Sequence, residues 1–320
     1  MLEESPETGL GRFKAGVLGA VKGREQLFGS ICAVAATMIW SGNFIAGRAL
    51  ADTIPPMTLV VVRSIIAFAV LLPFALPQFK RDWPLIRKNL GYFSLLTLMG
   101  ASIPHSCVYI AAHSTQAINL SIIAISTPLF VLLLGRIFYG EVLTGTRLLG
   151  LVITIVGILL LLSRGSLEVL RGLKFNPGDL IMMGNSIGFA LYTIYLRKMP
   201  RGVGMLSFML AFCALGGLFV VPGMVWELAS GQAVHFTPKL ITGLLYTSIG
   251  CTLLTYIFWN LAVAWLGAAK TSLLYNLIPL FSAVGSILIL GEPVLGIHFV
   301  SMILIVSGIV LAIHVKKKRS

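Results

Sequence analysis

Residues 128–141 read PLFVLLLGRIFYGE, and residues 279–292 read PLFSAVGSILILGE. Both strings open on Pro-Leu-Phe and close on Gly-Glu, and they start 151 residues apart in a chain of 320. In the same frame Ala117 meets Ala268, Ser121 meets Ser272, Gly145 meets Gly296, and Gly157-Ile158 meets Gly308-Ile309. So many coincidences at one offset mark an internal repeat of about half the chain.

The solvent that the repeat faces follows from composition. Apolar residues make up 57% of the chain and charged residues 11%, with a mean hydropathy of +0.95. Soluble domains carry roughly 25% charge, so most of this surface cannot face water, and the chain reads as an integral membrane protein. The net charge of +13 is scattered between apolar runs. Without a basic patch it does not describe a nucleic-acid binder. Cys32, Cys107, Cys213 and Cys251 all fall in apolar runs and read as small buried side chains rather than as metal or disulfide partners.

A bilayer core about 30 Å thick requires roughly 20 apolar residues per helix. On that rule the sequence predicts an all-α protein of ten spans: 27–50, 57–77, 91–112, 117–138, 147–163, 179–199, 204–225, 239–265, 268–290 and 297–314. Connections are expected at Asp52–Pro56, Lys80–Asn89 and Trp226–Pro238. Residues 1–26 form an N-terminal tail, read either as a disordered segment or as a short basic amphipathic helix on the membrane surface. Residues 27–163 form the first repeat, 179–314 the second, and 315–320 a basic C-terminal tail. With both termini in the cytoplasm, 18 of the 24 basic residues fall on that side. The positive-inside rule therefore selects this orientation, and the expected location is the bacterial inner (plasma) membrane. Five spans per repeat is an odd number, so the second copy enters from the opposite side. Inverted repeats of this kind build many secondary transporters.

The paired Pro…Gly-Glu strings, Trp40-Ser41-Gly42-Asn43-Phe44 in the first span, and Arg63 following Pro55-Pro56 together resemble the ten-helix EamA type of the drug/metabolite transporter superfamily. The resemblance covers about residues 28–314. It implies two inverted five-helix bundles around a central cavity, and export of amino acids, related metabolites or drugs. Families of this breadth fix transport better than they fix cargo.

Polar and aromatic groups within spans are costly unless they face a cavity or a partner. Here they recur at helical spacing: His105 and Tyr109; Asn185, Gly188, Tyr192 and Tyr195; Thr252, Tyr256 and Trp259, with Asn260 adjacent. Trp40, Asn43, Tyr275, Asn276 and Ser126 complete the set expected to line a site for a small organic molecule. The competing reading is that they join helices or form interfacial belts. Arg63 has two readings, an anchor for a substrate carboxylate or a structural arginine bonded to helix carbonyls. Pro128 and Pro279 remove backbone donors near mid-membrane, either as hinges or as static kinks. Glu141 and Glu292 close the two strings and are expected to cap helix ends at opposite mouths of one pathway.

No acidic residue falls in mid-span, which favours a zwitterionic or neutral cargo over a lipophilic cation; proton coupling would have to use His105, Glu141 or Glu292. No HExxH, GxSxG, Walker loop or GxGxxG is present, so neither an enzyme nor a primary pump is expected, and no metal or cofactor. The leading expectation is an exporter working by alternating access with the lipid bilayer as its surroundings. The alternatives are a nucleotide-type or sugar-phosphate carrier, a membrane enzyme acting on a lipid-linked substrate, and a channel. Oligomeric state, substrate identity and coupling are not encoded in any motif.

Overall fold

The computed structural model describes residues 24–114, 123–124, 126–163, 165–172, 177–281, 284 and 296–313. The amphipathic reading of the N-terminal tail, the basic C-terminal run and Glu292 lie outside the described residues. Among those residues the structure is helical throughout, with no strand. The helices are α1 (Glu25–Leu50), α2 (Pro56–Lys88), α3 (Leu90–Thr97), α4 (Ile103–Ser114), α5 (Thr127–Tyr139), α6 (Gly145–Leu162), α7 (Leu167–Arg171), α8 (Pro177–Tyr195), α9 (Met205–Leu218), α10 (Val221–Ala229), α11 (Pro238–Leu245), α12 (Thr255–Leu266), α13 (Ala268–Leu274) and α14 (Gly296–Ile313). A lipid solvent offers no hydrogen bonds, so a crossing segment must satisfy its own backbone, and helices do this.

Four helical rods are long and apolar enough to cross a membrane among the described residues: Pro56–Lys88, Leu90–Ala111, Met205–Ala229 and Pro238–Leu266. Shorter apolar helices cover Thr127–Tyr139, Gly145–Leu160 and Phe299–Ala312. Phe74, Ile137, Leu180 and Ile303 point outward, while Arg63, Thr193, Thr252 and Asn260 are buried. An apolar exterior around a polar interior suits a membrane and not water.

Two of the long rods change winding halfway. π-Helical turns at Leu98–Ser102 join α3 to α4, and π-helical turns at Tyr246–Leu254 join α11 to α12. Shifted by 151 places, the first segment falls inside the second. The wider turn is tolerated because hydroxyls take up the displaced carbonyls: Thr252 Oγ1 donates to the Thr247 carbonyl at 2.8 Å and Thr255 Oγ1 to the Gly250 carbonyl at 2.9 Å.

The main helix contacts are also related by that offset. α1 packs along the α11–α12 rod, and α8 packs along α4 and its π turns. α2 packs on α9 and α10, and α6 packs on α14. Gly150 and Gly157 of α6 face Gly308 and Leu304–Ile305 of α14, so the two helices run antiparallel. A Cβ on Gly150 would meet the Gly308 carbonyl oxygen at 2.6 Å. Only glycine lets the backbones approach this closely, which is how helices without a hydrophobic drive in lipid gain contact.

α2 is longer than the sequence suggests. It runs on through Pro73, Pro77 and Pro84 to Lys88, so the connection expected at Lys80–Asn89 is helix instead. At about 1.5 Å per residue its 33 residues span roughly 50 Å, beyond a hydrocarbon core of about 30 Å. The reason for the extension is at its end. Asp82 is buried, and its Oδ2 accepts from the Gly204 backbone N–H at 2.9 Å and Ser207 Oγ at 2.8 Å, capping the start of α9. At the opposite end the relation is reversed. Glu227 on α10 is also buried and accepts from the backbone N–H groups of Met57 and Thr58, each at 2.8 Å, and from Thr58 Oγ1 at 2.9 Å. Each partner thus caps the other's first turn, and α2 lies antiparallel to α9–α10. Nothing in the sequence assigns either carboxylate a role.

Pro128 does not kink a continuous fourth span. It sits in the first turn of α5, which starts afresh at Thr127 after a turn at Ser126, where a missing N–H costs nothing. Pro279 likewise follows an irregular turn, a 3-10 segment at Tyr275–Leu277.

Loss of a helix cap costs about 0.5–2 kcal/mol, so Asp82→Ala and Glu227→Ala are each expected to lower the melting midpoint of the detergent-solubilised protein, with Ser207→Ala showing a smaller drop. Unchanged midpoints would mean the caps contribute nothing. Gly308→Leu is expected to be worse than either, since it drives α6 and α14 apart; expression and monodispersity by fluorescence size-exclusion read that outcome.

Candidate functional site

The segments that meet at the centre are α1, the π-turn and first half of α4, α8, α12 and the Tyr275–Leu277 turn. Spacing of three, four or seven residues places their aromatic side chains inward. The Trp40 ring lies 5.1 Å from Phe189, 5.3 Å from Tyr256, 5.3 Å from Trp259 and 5.9 Å from Tyr275, centroid to centroid. Most of these contacts are edge-to-face or tilted, the arrangement that ring quadrupoles favour.

A cavity opens beside this cluster. Its walls include Trp40, Asn43, His105, Asn185, Phe189 and Tyr275, and it has about 40 Å³ of room. One water needs roughly 10–15 Å³, so the space holds about three waters. Pockets for organic ligands run to about 300–1,000 Å³. The surrounding helices must therefore part before anything larger enters.

Behind the Asn43 wall lies Arg63, with 0% exposure. Its Nε donates to Thr252 Oγ1 at 2.9 Å, and its Nη1 donates to the Tyr109 hydroxyl. Tyr109 passes its own proton on to Asn43 Oδ1 at 3.0 Å. Nη2 has no acceptor, and among the described residues no carboxylate lies within ion-pair distance. The partners are neutral hydroxyls, so the positive charge is solvated but not cancelled. The helix-carbonyl reading of Arg63 does not describe this: it is bound to side-chain hydroxyls instead, and one end of its fork is open.

On the opposite wall Tyr256 donates to the Gly100 carbonyl in the first π segment and lies 3.1 Å from His105 Nε2. Gly100 has to be glycine, because any Cβ there would strike the Tyr192 ring. Tyr192 in turn donates to Asn260 Oδ1 at 2.6 Å, and Trp259 Nε1 donates to Thr193 Oγ1 at 3.3 Å.

Of the residues singled out from sequence, the structure brings Trp40, Asn43, His105, Tyr256 and Tyr275 to the cavity wall. Arg63 and Tyr109 stand one layer behind, and Tyr192, Trp259 and Asn260 are fully buried in the packing around it. Asn276 is 1% exposed with both amide atoms unpaired. Two residues do not join them. Ser126 Oγ is spent on the Ile123 carbonyl at 2.6 Å, and Tyr195 sits at the end of α8 against Phe138 and Lys198. The Glu141 side chain is engaged with another side chain rather than with a helix end. It pairs with Arg197 at 2.5 Å, and Arg197 stacks over Tyr139 at 4.7 Å, joining the end of α5 to the end of α8. Phe189 was missed, although it falls on the Asn185–Tyr192 stripe at the next helical position; an apolar residue within an apolar span gives no signal of its own. No group of metal-binding residues occurs among the described residues.

A family model described as "EamA-like transporter family" matches the chain twice, over residues 27–163 and 176–313. An uncharacterized transporter of Archaeoglobus fulgidus is 28% identical over 86% of this chain and 93% of its own length. The uncharacterized transporter YyaM of Bacillus subtilis is 25% identical over 71% of this chain and 74% of its own length. The uncharacterized inner membrane transporter YedA of Escherichia coli K12 is 26% identical over 67% of this chain and 66% of its own length. A solved crystal structure superposes with a TM-score of 0.67 at 17% identity, over 89% of this chain and 96% of the other, which supports the fold alone. With a helical, lipid-facing exterior around a polar centre and two family matches spanning most of its length, the chain is a multi-pass membrane transporter rather than an enzyme, and it belongs to the EamA-like transporter family.

Proposed function

We propose that the protein is a ten-span carrier of two inverted five-span halves, exporting a small zwitterionic or neutral organic metabolite by alternating access. Both termini are assigned to the cytoplasm on the charge asymmetry of the loops. The antiparallel run of α2 against α9–α10, and of α6 against α14, is what inversion of equivalent helices requires. The observation that carries the cargo class is Arg63, a buried guanidinium with an open Nη2 and, among the described residues, no carboxylate within ion-pair distance, one layer behind an aromatic-lined cavity. A cargo carboxylate would supply the missing counter-charge once the cavity opens, and the rings of Trp40, Phe189, Tyr256 and Tyr275 would take an apolar body. A single cation suits one carboxylate; a phosphate-bearing cargo would call for more than one.

Alternation has a structural counterpart at the ends of the bundle. Arg197–Glu141 joins the end of α5 to the end of α8, and the turns before Pro128 and Pro279 would be the bending points. At 33% and 25% side-chain exposure the ion pair is a weak latch, as a gate must be.

Metabolite profiling of cells overexpressing the chain tests the reading. Wild type is expected to shift one or a few amino-acid-like metabolites to the medium. A charge-assisted hydrogen bond is worth about 1.5–3 kcal/mol, so Arg63→Gln is expected to weaken cargo affinity by roughly 10–100-fold. Arg63→Lys would restore part of it. Tyr256→Ala is expected to abolish export, because it removes both a cavity wall and the partner of Gly100. If no metabolite is redistributed under any growth condition, the exporter reading is lost; if Arg63→Gln transports normally, the carboxylate anchor is lost. Glu141→Gln is expected to leave affinity nearly unchanged while altering turnover, checked by counterflow in proteoliposomes.

A further inference from the structure

The hydrogen bonds around Tyr256 fix which nitrogen of His105 carries the proton. A tyrosine hydroxyl has one proton, and Tyr256 gives it to the Gly100 carbonyl. Toward His105 Nε2, 3.1 Å away, the same oxygen can only accept. Nε2 therefore holds the N–H, and Nδ1 is a bare acceptor. His105 is 7% exposed, lines the cavity, and its Nδ1 has no partner. A buried acceptor left empty is expensive, and His105 is one of the residues that line the cavity.

We infer that Nδ1 of His105 is the receptor for an N–H of the cargo, so that cargo and a proton compete for one nitrogen. The inference rests on the carrier reading above and adds a coupling device to it. The aromatic walls suit an ammonium group, while Arg63 reaches the Asn43 wall through Tyr109. A zwitterion would thus lie with its carboxylate toward Arg63 and its amine toward His105. A proton reaching Nδ1 forms an N–H bond there and makes the ring an imidazolium that donates from both nitrogens. The acceptor is gone and the cargo amine is repelled. The cargo leaves as the proton binds, and the next cargo binds as the proton leaves: an exchange in which nothing is oxidised or reduced. The charged and titratable groups around His105 are Arg63 on α2, Tyr109 on its own helix, Tyr192 on α8, Cys251 and Tyr256 on the α11–α12 rod, and Tyr275 on the turn after α13; no carboxylate is in that set among the described residues. Among the described residues, the other titratable side chains in that set are phenols and a thiol, whose ordinary ranges lie well above neutral pH.

Two measurements on the full chain test this. In nanodiscs, nitrogen-15 histidine spectra, assigned with His105→Gln, are expected to show Nε2–H and a bare Nδ1 for His105. Tyr256→Phe removes the acceptor of that proton and is expected to release the Nδ1–H form. A wild-type Nδ1–H tautomer overturns the inference. In proteoliposomes, with equal pH on both sides, counterflow of each common amino acid is measured from about pH 8 to about pH 5. The KM of wild type for a transported amino acid, L-leucine being the first probe, is expected to rise about tenfold toward the acid end, the loss of one hydrogen bond, while His105→Gln stays flat. Identical pH dependence of KM in the two proteins overturns the inference and leaves the carrier reading intact. If no amino acid shows counterflow, the carrier reading's cargo class fails, and the tautomer still decides His105 independently.

Discussion

A guanidinium at 0% exposure within an apolar bundle sets the terms for the rest of this structure. Placing arginine at the centre of a membrane costs about 2.5–3.5 kcal/mol even on the gentlest scales, so the surrounding helices must supply donors' partners at defined positions. Thr252 and Tyr109 do so from two different helices, and Tyr109 is itself held by Asn43 on a third. Four segments are thereby tied to one side chain. Because the ties are neutral, the bundle has been organised around a positive charge that it leaves available.

The π segments serve the same arrangement. Thr252 is the residue that bonds Arg63, and it lies in the π turns of the α11–α12 rod, where its hydroxyl also bonds the Thr247 carbonyl. Gly100 lies in the π turns between α3 and α4, and its carbonyl receives Tyr256. In a regular helix that carbonyl would look to the backbone N–H of residue 104, but Pro104 has none, so the carbonyl is left free to meet a side chain from another rod. One π segment thus carries the partner of Arg63, and the other carries the partner of Tyr256, which also meets His105.

At the periphery the chemistry changes from hidden to reversible. Asp82 and Glu227 are buried and each hold two or three donors, so the α2 to α9–α10 pair is clamped at both ends. Arg197–Glu141 is partly exposed and has one short contact reinforced by stacking on Tyr139. Fixed struts beside a breakable latch are what a bundle needs if some helices are to move and others are not.

The repeat, the helical class and the membrane were legible in the residues themselves, since composition and the recurrence of PLF…GE depend on no contact. So were Trp40, Asn43, His105, Tyr256 and Tyr275, because a polar or aromatic group within an apolar span stands out against its neighbours. Phe189 could not stand out in that way. Nor could α2 be seen to continue past Lys80, since its charged last turns look like a loop until Asp82 is found against Gly204. Ser126 and Tyr195 have the right residue types, but their bonds are spent elsewhere. Local sequence determines which segments leave water and which side chains must then find partners. Which partners they find depends on residues 46 to 189 positions apart, and only tertiary packing decides whether such a group is satisfied, like Tyr109, or left open, like His105 Nδ1.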